Sequence, residues 1–264
     1  MKSKYPPLAV TIRPLILIPY RNIVLQTLRR TGMNATAEDH RKTYLPGMGH
    51  DWLLPLYDPL CRLLGIESAH RLLVDRADIR MDHRVLEIGC GTGNLALLVK
   101  RLHPDADVIG LDPDAKVLAR ARRKAGRKAL SIQLDRGFAQ ELPYPDASFD
   151  RVLSALMFHH LGSDEKGETL REVRRVLRPG GSLHLLDFGG AKVRSDGFMA
   201  RMSHRNALLS DNFGDRIPAL MGEAGFADST EVAHRVTRVL GRATYYCATV
   251  PPAGLDGETR RQTP

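Results

Sequence analysis

The sequence predicts an α/β domain in which a largely parallel sheet carries helices on both faces. The first observation is a short apolar strand pattern, Arg84–Ile88, which runs directly into Gly89, Gly91 and Gly93. A helical pattern over Asn94–Leu102 follows at once, so that a strand, a tight turn and a helix occur in succession. The second observation is that strand and helix patterns keep alternating beyond this turn, as a doubly wound sheet requires.

The glycine turn has the chemistry of a ligand-binding loop. Without Cβ atoms, its glycines allow a sharp bend and a close approach of a ligand to the main chain, and the helix behind it offers free N–H groups. Glu87 precedes the turn and would repel a dinucleotide pyrophosphate. Only Thr92 separates Gly91 from Gly93, whereas dinucleotide-binding loops have two residues there. A ligand with an ammonium group and a sulfonium centre would be attracted to Glu87, and S-adenosylmethionine has both groups.

Four motifs together resemble the class I S-adenosylmethionine-dependent methyltransferases, and in particular the small-molecule methyltransferases of ubiquinone and menaquinone biosynthesis. Val85–Gly93 resembles the glycine loop of that family position by position. The other motifs follow in the family's order and spacing: Val108–Asp112, Glu141–Asp150 and Val176–Leu183. The resemblance covers residues 75–250. It implies a Rossmann-like, seven-stranded, mostly parallel sheet with one reversed strand and a helical N-terminal cap.

The remaining elements are predicted from periodicity and turn residues. We expect the second, third and fourth strands at 108–111, 130–134 and 150–157. Helices are expected at 115–125 and 216–224, the second ending at Gly225, and a closing antiparallel hairpin at 229–240 and 243–250. Basic side chains cover the helix at 115–125, and we expect them to face solvent, with an RNA-contacting patch as the alternative: Lys116, Arg120, Arg123, Lys124, Arg127 and Lys128.

The resemblance implies a set of cofactor contacts. Asp112 corresponds to the family acid that holds the two ribose hydroxyls, and a carboxylate suits that role because it accepts two hydrogen bonds. The family commonly has an aspartate before the alanine that meets adenine, but this chain has Phe138 before Ala139. We expect stacking on Phe138 and the Ala139 N–H to hold adenine, with a loss of about 1 kcal/mol for the missing acceptor. The predicted cofactor-binding residues are Glu87, Gly89, Gly91, Gly93, Asp112, Phe138, Ala139, Leu156 and Tyr57.

Residues 44–77 are predicted to form a helical lid on the domain. Within it, the pair Tyr57-Asp58 resembles the lid segment of methyltransferases that act on quinones and related lipids, in which a tyrosine closes over the methionine end of the cofactor. The alternative is that Tyr57 is an aromatic residue of the core. A second candidate cover for the substrate is the stretch 187–212, which is rich in Gly, Met and Arg.

Two adjacent histidines follow the fourth strand, His159 and His160. The carboxyl end of this strand faces the transferring methyl group in the family, so His159 is the candidate catalytic residue, a base that takes a proton from a phenol or hydroxyl. The alternative is that the histidine hydrogen-bonds the loop and anchors it, and His160 is the weaker candidate. We expect no metal site, because neighbouring side chains on an extended chain point apart.

The N-terminal residues 1–43 are predicted to be a basic extension, separate from the methyltransferase domain at 44–250 and from a flexible polar tail at 251–264. No acidic residue occurs within 1–37, so this segment suits a peripheral contact with an anionic membrane surface. A transit segment, or an extension that is partly disordered or packs on the domain, is the alternative. The chain has no run of 18 apolar residues, and its three isolated cysteines suit a reducing, cytoplasmic compartment.

The sequence therefore predicts a methyltransferase that uses S-adenosylmethionine to methylate a small or lipid-like acceptor by in-line displacement. One alternative is an RNA methyltransferase, which the formal net charge of +9 favours, although no Asn-Pro-Pro-Tyr or catalytic-cysteine motif accompanies it. The other is a noncatalytic scaffold with the same fold, for which Phe138 is the support. The sequence predicts neither the acceptor atom nor the oligomeric state.

Overall fold

The computed structural model describes residues 65–190, 212, 214–237 and 241–252. Several predicted segments lie wholly or largely outside the described residues: the basic extension at 1–43, the greater part of the lid at 44–77 with Tyr57, the greater part of the candidate cover at 187–212 and most of the tail at 251–264. No helix in the described part of the chain has the length and apolar character that crossing a bilayer requires.

The described residues form one seven-stranded sheet with helices on both faces. The strands are β1 (Arg84–Ile88), β2 (Asp107–Asp112), β3 (Gln133–Arg136), β4 (Phe149–Ala155), β5 (Leu177–Phe188), β6 (Ala227–Thr237) and β7 (Gly241–Thr249). The helices are α1 (Ile66–Arg76), α2 (Asn94–Leu102), α3 (Ala115–Arg127), α4 (Ser163–Val176) and α5 (Arg216–Glu223), with a 3₁₀ turn at Phe158–His160. The strand order is β3-β2-β1-β4-β5-β7-β6, and β7 runs in the direction opposite to the other six described strands. The predicted sheet is confirmed.

The sheet buries a hydrophobic core on each face, because successive strand residues point to opposite sides. Val85 in β1 packs with α1 and α2, while its neighbour Leu86 packs with α4 and α5. The same alternation occurs in β7, where Tyr245 lies in the first core and Tyr246 in the second. Helix α3 covers the β2–β3 edge through a smaller cluster that includes Leu118.

The third strand is shorter and later than predicted. β3 covers Gln133–Arg136, not 130–134, and it pairs with the carboxyl half of β2. The cause is the way α3 ends. Ala129 adopts a left-handed conformation (φ 50°), and the Leu130 N–H donates to Ala125 O, so the chain needs further residues to reach the sheet. A non-glycine residue rarely takes this conformation, and the sequence did not indicate it.

The fourth strand also differs from its prediction at 150–157. β4 ends at Ala155 because Leu156 has a positive φ of 55°, which breaks the extended backbone. The motif Val176–Leu183 resembles the family's turn between a helix and the fifth strand, but β5 begins at Leu177, so most of this motif forms an irregular start to the strand. β1 and α2 have the predicted bounds. The closing hairpin is present with shifted ends, and residues 238–240 lie outside the described part.

Candidate active site

The carboxyl ends of β1, β2, β4 and β5 lie together at one edge of the sheet, where the strand order reverses between β1 and β4. The glycine turn after β1 forms the centre of this edge. Gly89, Gly91 and Gly93 have φ values of 67°, 51° and 74°, a region that glycine enters without steric cost. A Cβ on Gly89 would collide with the Met157 side chain, and one on Gly93 would lie 3.0 Å from the Ala121 Cβ. A Cβ added at Gly91 would have no described atom within 4 Å, so this face of the glycine borders open space.

Glu87 lies beneath the turn and is buried. Its Oε2 accepts a hydrogen bond of 2.7 Å from the N–H of Ala96, in the first turn of α2. The N-cap of α2 is Gly93, which has no side chain, so Glu87 supplies the acceptor that a capping residue ordinarily provides. Burial raises the pKa of Glu87 from 4.5 to about 8, against the lowering effect of the Ala96 hydrogen bond. The carboxyl group is therefore largely protonated at neutral pH, and its attraction for a cationic ligand stays a prediction.

Asp112, the predicted ribose ligand, ends β2 beside the turn. Its Oδ2 accepts the Gly91 N–H at 2.9 Å and its Oδ1 accepts the Asp114 N–H at 2.9 Å. Burial raises the pKa of this carboxyl group despite the two hydrogen bonds. Each oxygen of a carboxylate has two lone pairs, so both retain acceptor capacity for a pair of hydroxyl groups. Asp112 thus holds the turn in place, and its oxygens still have lone pairs that can accept hydrogen bonds from a ligand.

Phe138 and Ala139 follow β3 next to Asp112, because the Gly137 N–H donates to Asp112 O at 3.3 Å. Ala139 is buried and Phe138 is half-buried. Asp135 is the nearest acid in the sequence, but its Oδ2 accepts from the Tyr144 hydroxyl at 2.9 Å and from Gln133 Nε2 at 2.7 Å. The carboxyl group of Asp135 therefore binds side chains of its own segment.

The segment after β4 passes directly over the glycine turn. Leu156, at φ 55°, donates its N–H to Leu186 O at 2.8 Å, which turns the chain away from the sheet. Met157 then packs on Gly89, and the 3₁₀ turn Phe158–His160 follows. Met157 contacts the glycine turn, and His159 follows it two residues later in the chain.

His159 pairs with a carboxylate that the sequence analysis had not selected. Its Nδ1 lies 2.7 Å from Oδ1 of Asp187, and its backbone N–H donates to Oδ2 at 3.1 Å. Asp187 is fully buried in β5, and its Oδ1 also accepts the Phe188 N–H at 2.7 Å. An apolar strand that ends in an acid, the pattern that indicated Asp112, would also have indicated Asp187.

His160 lies against His159, with ring centroids 4.1 Å apart. Burial, together with the neighbouring His159, lowers the pKa of His160 to about 4, so its imidazole is neutral. Phe188 covers the other side of His159 with its ring centroid 5.0 Å away. The two histidines therefore differ: one is oriented by a carboxylate, and the other is a buried neutral neighbour.

The ends of the segment at 191–211 are joined beside Phe188. The Gly190 N–H donates to Asn212 O at 3.2 Å, and the Gly214 N–H donates back to Gly190 O at 2.9 Å. Asn212 Nδ2 donates to Phe188 O at 3.1 Å. The chain thus leaves and returns at one point next to His159.

The structure brings most of the predicted site residues to this one edge: Glu87, Gly89, Gly91, Gly93, Asp112, Phe138, Ala139, Leu156 and His159. Tyr57 lies outside the described residues. Within the described ranges, no group of three or more His, Cys, Asp or Glu side chains is arranged to hold a metal ion. The open main chain at Gly91 and the acceptors of Asp112 fit the predicted cofactor, since they offer a bare loop and a hydroxyl-binding carboxylate.

The chain is similar to a known protein family and to named relatives. Residues 85–181 match the family described as a methyltransferase domain. The chain is 34% identical over 199 residues to demethylmenaquinone methyltransferase of Thermus thermophilus, an alignment that covers 66% of this chain and 90% of that protein. It is also 34% identical over 212 residues to demethylmenaquinone methyltransferase of Deinococcus radiodurans, covering 77% of this chain and 87% of that protein.

A solved structure shows the same fold. The YcgJ protein of Bacillus subtilis superposes with a TM-score of 0.57 at 19% identity, covering 70% of this chain and 98% of that one. These relatives, which align with the chain over most of their own length, confirm the predicted activity and the predicted cofactor. The chain therefore belongs to the class I S-adenosylmethionine-dependent methyltransferases and is an enzyme that transfers a methyl group from this cofactor to a small molecule.

Proposed function

We propose that the acceptor is a hydroxyl-bearing, quinol-like aromatic molecule, and that His159 takes the hydroxyl proton during methyl transfer. The observation that carries this proposal is the contact of 2.7 Å between His159 Nδ1 and Asp187 Oδ1. The names of the two relatives, both demethylmenaquinone methyltransferases, support a quinone-like acceptor.

The His159–Asp187 pair favours one tautomer of the imidazole. An ionised carboxylate only accepts hydrogen bonds, so the hydrogen of the neutral ring is assigned to Nδ1. Nε2 then carries the lone pair and can accept a proton. Asp187 also stabilises the imidazolium that forms when Nε2 is protonated, because a buried carboxylate interacts strongly with a charge at this distance.

The surroundings of His159 suit proton transfer beside the cofactor. Bound S-adenosylmethionine supplies an electrophilic methyl group. Met157 lies on Gly89, so the turn that carries His159 is packed against the glycine loop. The side chain of His159 is 15% exposed, which leaves it accessible to an acceptor while the Phe188 ring packs against it. A positioned general base contributes about 10²–10⁴-fold to a rate.

The activity test uses the full chain, methyl-labelled S-adenosylmethionine and demethylmenaquinol, with oxidised demethylmenaquinone and a cell RNA extract as the other acceptors. We expect label in the quinol, because it has a hydroxyl proton to lose, and little in the oxidised quinone. Label in RNA instead would support the RNA methyltransferase alternative. No label in any acceptor would contradict the proposed acceptor class.

The role of His159 is tested with His159→Ala and with the neighbouring His160→Gln as a matched control. We expect His159→Ala to lower kcat by about 10²–10⁴-fold and to leave the Kd for S-adenosylmethionine unchanged. His160→Gln should retain most of the activity if it remains folded, which thermal unfolding checks. Full activity of His159→Ala would instead support the alternative in which the histidine only anchors its loop.

We further propose a peripheral contact of residues 1–37 with an anionic membrane, where a lipid-like acceptor is available. The support is the acid-free, basic and apolar sequence of this segment. Co-sedimentation of the full chain with anionic vesicles should exceed that with neutral vesicles, and replacement of Lys2, Lys4, Arg13 and Arg21 by Gln should reduce it. Equal co-sedimentation with both vesicle types would contradict the contact.

A further inference from the structure

Lys124 contacts the glycine turn, although the sequence predicted that it faces solvent. Its Nζ lies 3.1 Å from Thr92 Oγ1 and 2.5 Å from Asn94 Oδ1. Thr92 is buried, and Asn94 is the first residue of α2. The ammonium group therefore binds the two residues on either side of Gly93.

Helix α3 supports the turn at a second point on the same face. Ala121 and Lys124 are three residues apart and thus neighbours on the helix surface. Ala121 packs on Gly93 so closely that a Cβ there would lie 3.0 Å from its own Cβ. One turn of α3 thus holds Gly93 by packing and its two neighbours by hydrogen bonds.

Lys124 belongs to a set of side chains that hold the turn. Asp112 accepts the Gly91 N–H, and Glu87 accepts the Ala96 N–H. Both of these acceptors are carboxyl groups. Lys124 is the cation of the set, and its charge lowers the pKa of Glu87. A loop held in its binding conformation before the ligand arrives loses less conformational entropy on binding.

We propose that Lys124 is a positioning residue for S-adenosylmethionine: by binding Thr92 and Asn94 it fixes the glycine turn and the first turn of α2 in the conformation that receives the cofactor. Lys124 acts through these two side chains and does not itself contact the cofactor. The proposal rests on cofactor binding by this enzyme and is independent of the acceptor. It can therefore fail or succeed separately from the proposed quinol acceptor.

The test compares Lys124→Met with Lys128→Met. Methionine keeps an unbranched side chain of similar length and removes the charge, and Lys128 is an exposed residue that follows the same helix. We expect Lys124→Met to raise the Kd for S-adenosylmethionine by about tenfold or more, as for the loss of a charged hydrogen bond. Lys128→Met should change it by less than about twofold. Calorimetry measures both, and equal affinities in the two variants would overturn the proposal.

Hydrogen exchange provides a readout that does not depend on activity. In ligand-free Lys124→Met, amides of residues 91–97 should exchange faster than in Lys128→Met, while amides of β4 should not change. Thr92→Val removes one partner of the lysine with little change of volume, and it should also weaken cofactor binding. This variant keeps the test decisive if Lys124→Met does not fold.

A double mutant separates positioning from simple charge attraction. If Lys124 acts through Asn94, the effect of Lys124→Met on Kd should be clearly smaller in an Asn94→Ala background than in the wild-type chain. The effect of Lys124→Met should also persist in 0.5 M salt, where the Debye length is roughly 4 Å and long-range attraction is suppressed. Effects that are equal in both backgrounds and vanish in salt would show that the charge acts directly on the ligand, and would overturn the proposal.

Discussion

Asp187 determines which nitrogen of His159 can accept a proton. An asparagine at this position would present an amide that no longer requires hydrogen on Nδ1 and no longer stabilises the imidazolium. We expect Asp187→Asn to lower kcat by about 10²–10⁴-fold with little change in the Kd for S-adenosylmethionine. Steady-state kinetics and calorimetry on the same preparation distinguish these effects. Loss of both cofactor affinity and rate would instead show that the substitution disrupts the carboxyl end of β5.

The resemblance to the family implies that Phe138 lies where an aspartate commonly accepts a hydrogen bond from adenine. Phe138→Asp removes the ring and restores an acceptor, so it should lower the Kd for S-adenosylmethionine by about five- to tenfold relative to Phe138→Ala, because a hydrogen bond to a charged group is worth roughly 1.5 kcal/mol or less at a half-buried site. Phe138→Ala, which removes the ring without adding an acceptor, should raise the Kd. If the alanine variant bound as tightly as wild type, the ring would have no contact with adenine.

At the residue scale, the sequence predicted where a residue lies in the fold better than it predicted which side chains that residue contacts. Glu87, Asp112 and His159 lie where the motifs indicated, because a motif fixes the place of a residue along a strand or turn. Asp187 and Lys124 were missed as site residues because their significance comes from contacts across the sheet. Lys124 has the same sequence context as its exposed neighbours, and only the packing of α3 on the glycine turn distinguishes it.

Gly93 joins two elements, since it ends the glycine turn and lies against α3. Gly93→Ala would introduce a Cβ at φ 74° and 3.0 Å from Ala121. We expect it to lower the free energy of unfolding by about 1–3 kcal/mol and to weaken cofactor binding. Gly126→Ala is the control, because it lies in α3 with open space around its Cβ among the described atoms. Urea unfolding should show that this control is stabilised by up to about 1 kcal/mol.

Glu87 makes the β1–α2 unit sensitive to pH. Its pKa is about 8 in the folded chain and 4.5 as a free side chain, so folding takes up a proton between these values. The stabilising contribution of the neutral form is complete below pH 4.5 and is lost as pH rises through 8. Asp112 and Lys124 are the charged groups that face it, and they act in opposite directions.

Glu87→Gln keeps an oxygen for the Ala96 N–H and removes the titration. Relative to wild type, we expect its free energy of unfolding to increase between pH 5 and pH 8, by at most about 1.4 kcal/mol per pH unit. Urea unfolding at several pH values measures this difference. A difference that stays constant over that range would mean that Glu87 has an ordinary pKa in the folded chain.

At the element scale, strands and helices with clear periodicity were predicted well, and their ends were predicted less well. β1 and α2 have the predicted bounds because glycines mark the turn between them. The predicted bounds of β3 and β4 were wrong because Ala129 and Leu156 take left-handed conformations. Alanine and leucine rarely adopt this conformation, so the sequence gives no local indication of where these two strands begin or end.

For the molecule as a whole, cofactor binding should stabilise the fold by mass action. At a ligand concentration of 100 times Kd the gain is about 2.7 kcal/mol, which corresponds to a rise in Tm of about 5–10 °C for a domain of this size. We expect this rise with S-adenosylmethionine and none with NAD, for which the glycine spacing is unsuited. Differential scanning calorimetry measures it. No rise at millimolar S-adenosylmethionine would favour the noncatalytic scaffold alternative.

The hydrogen bonds that join Gly190 to Asn212 and Gly214 bring together the two ends of the segment at 191–211. Because these hydrogen bonds join the two ends of the segment, we expect that its residues can be exchanged or lengthened while β5, α5 and the donor-binding edge keep their positions. A chimaera that receives this segment from another relative should therefore fold and bind the same methyl donor, yet prefer a different acceptor.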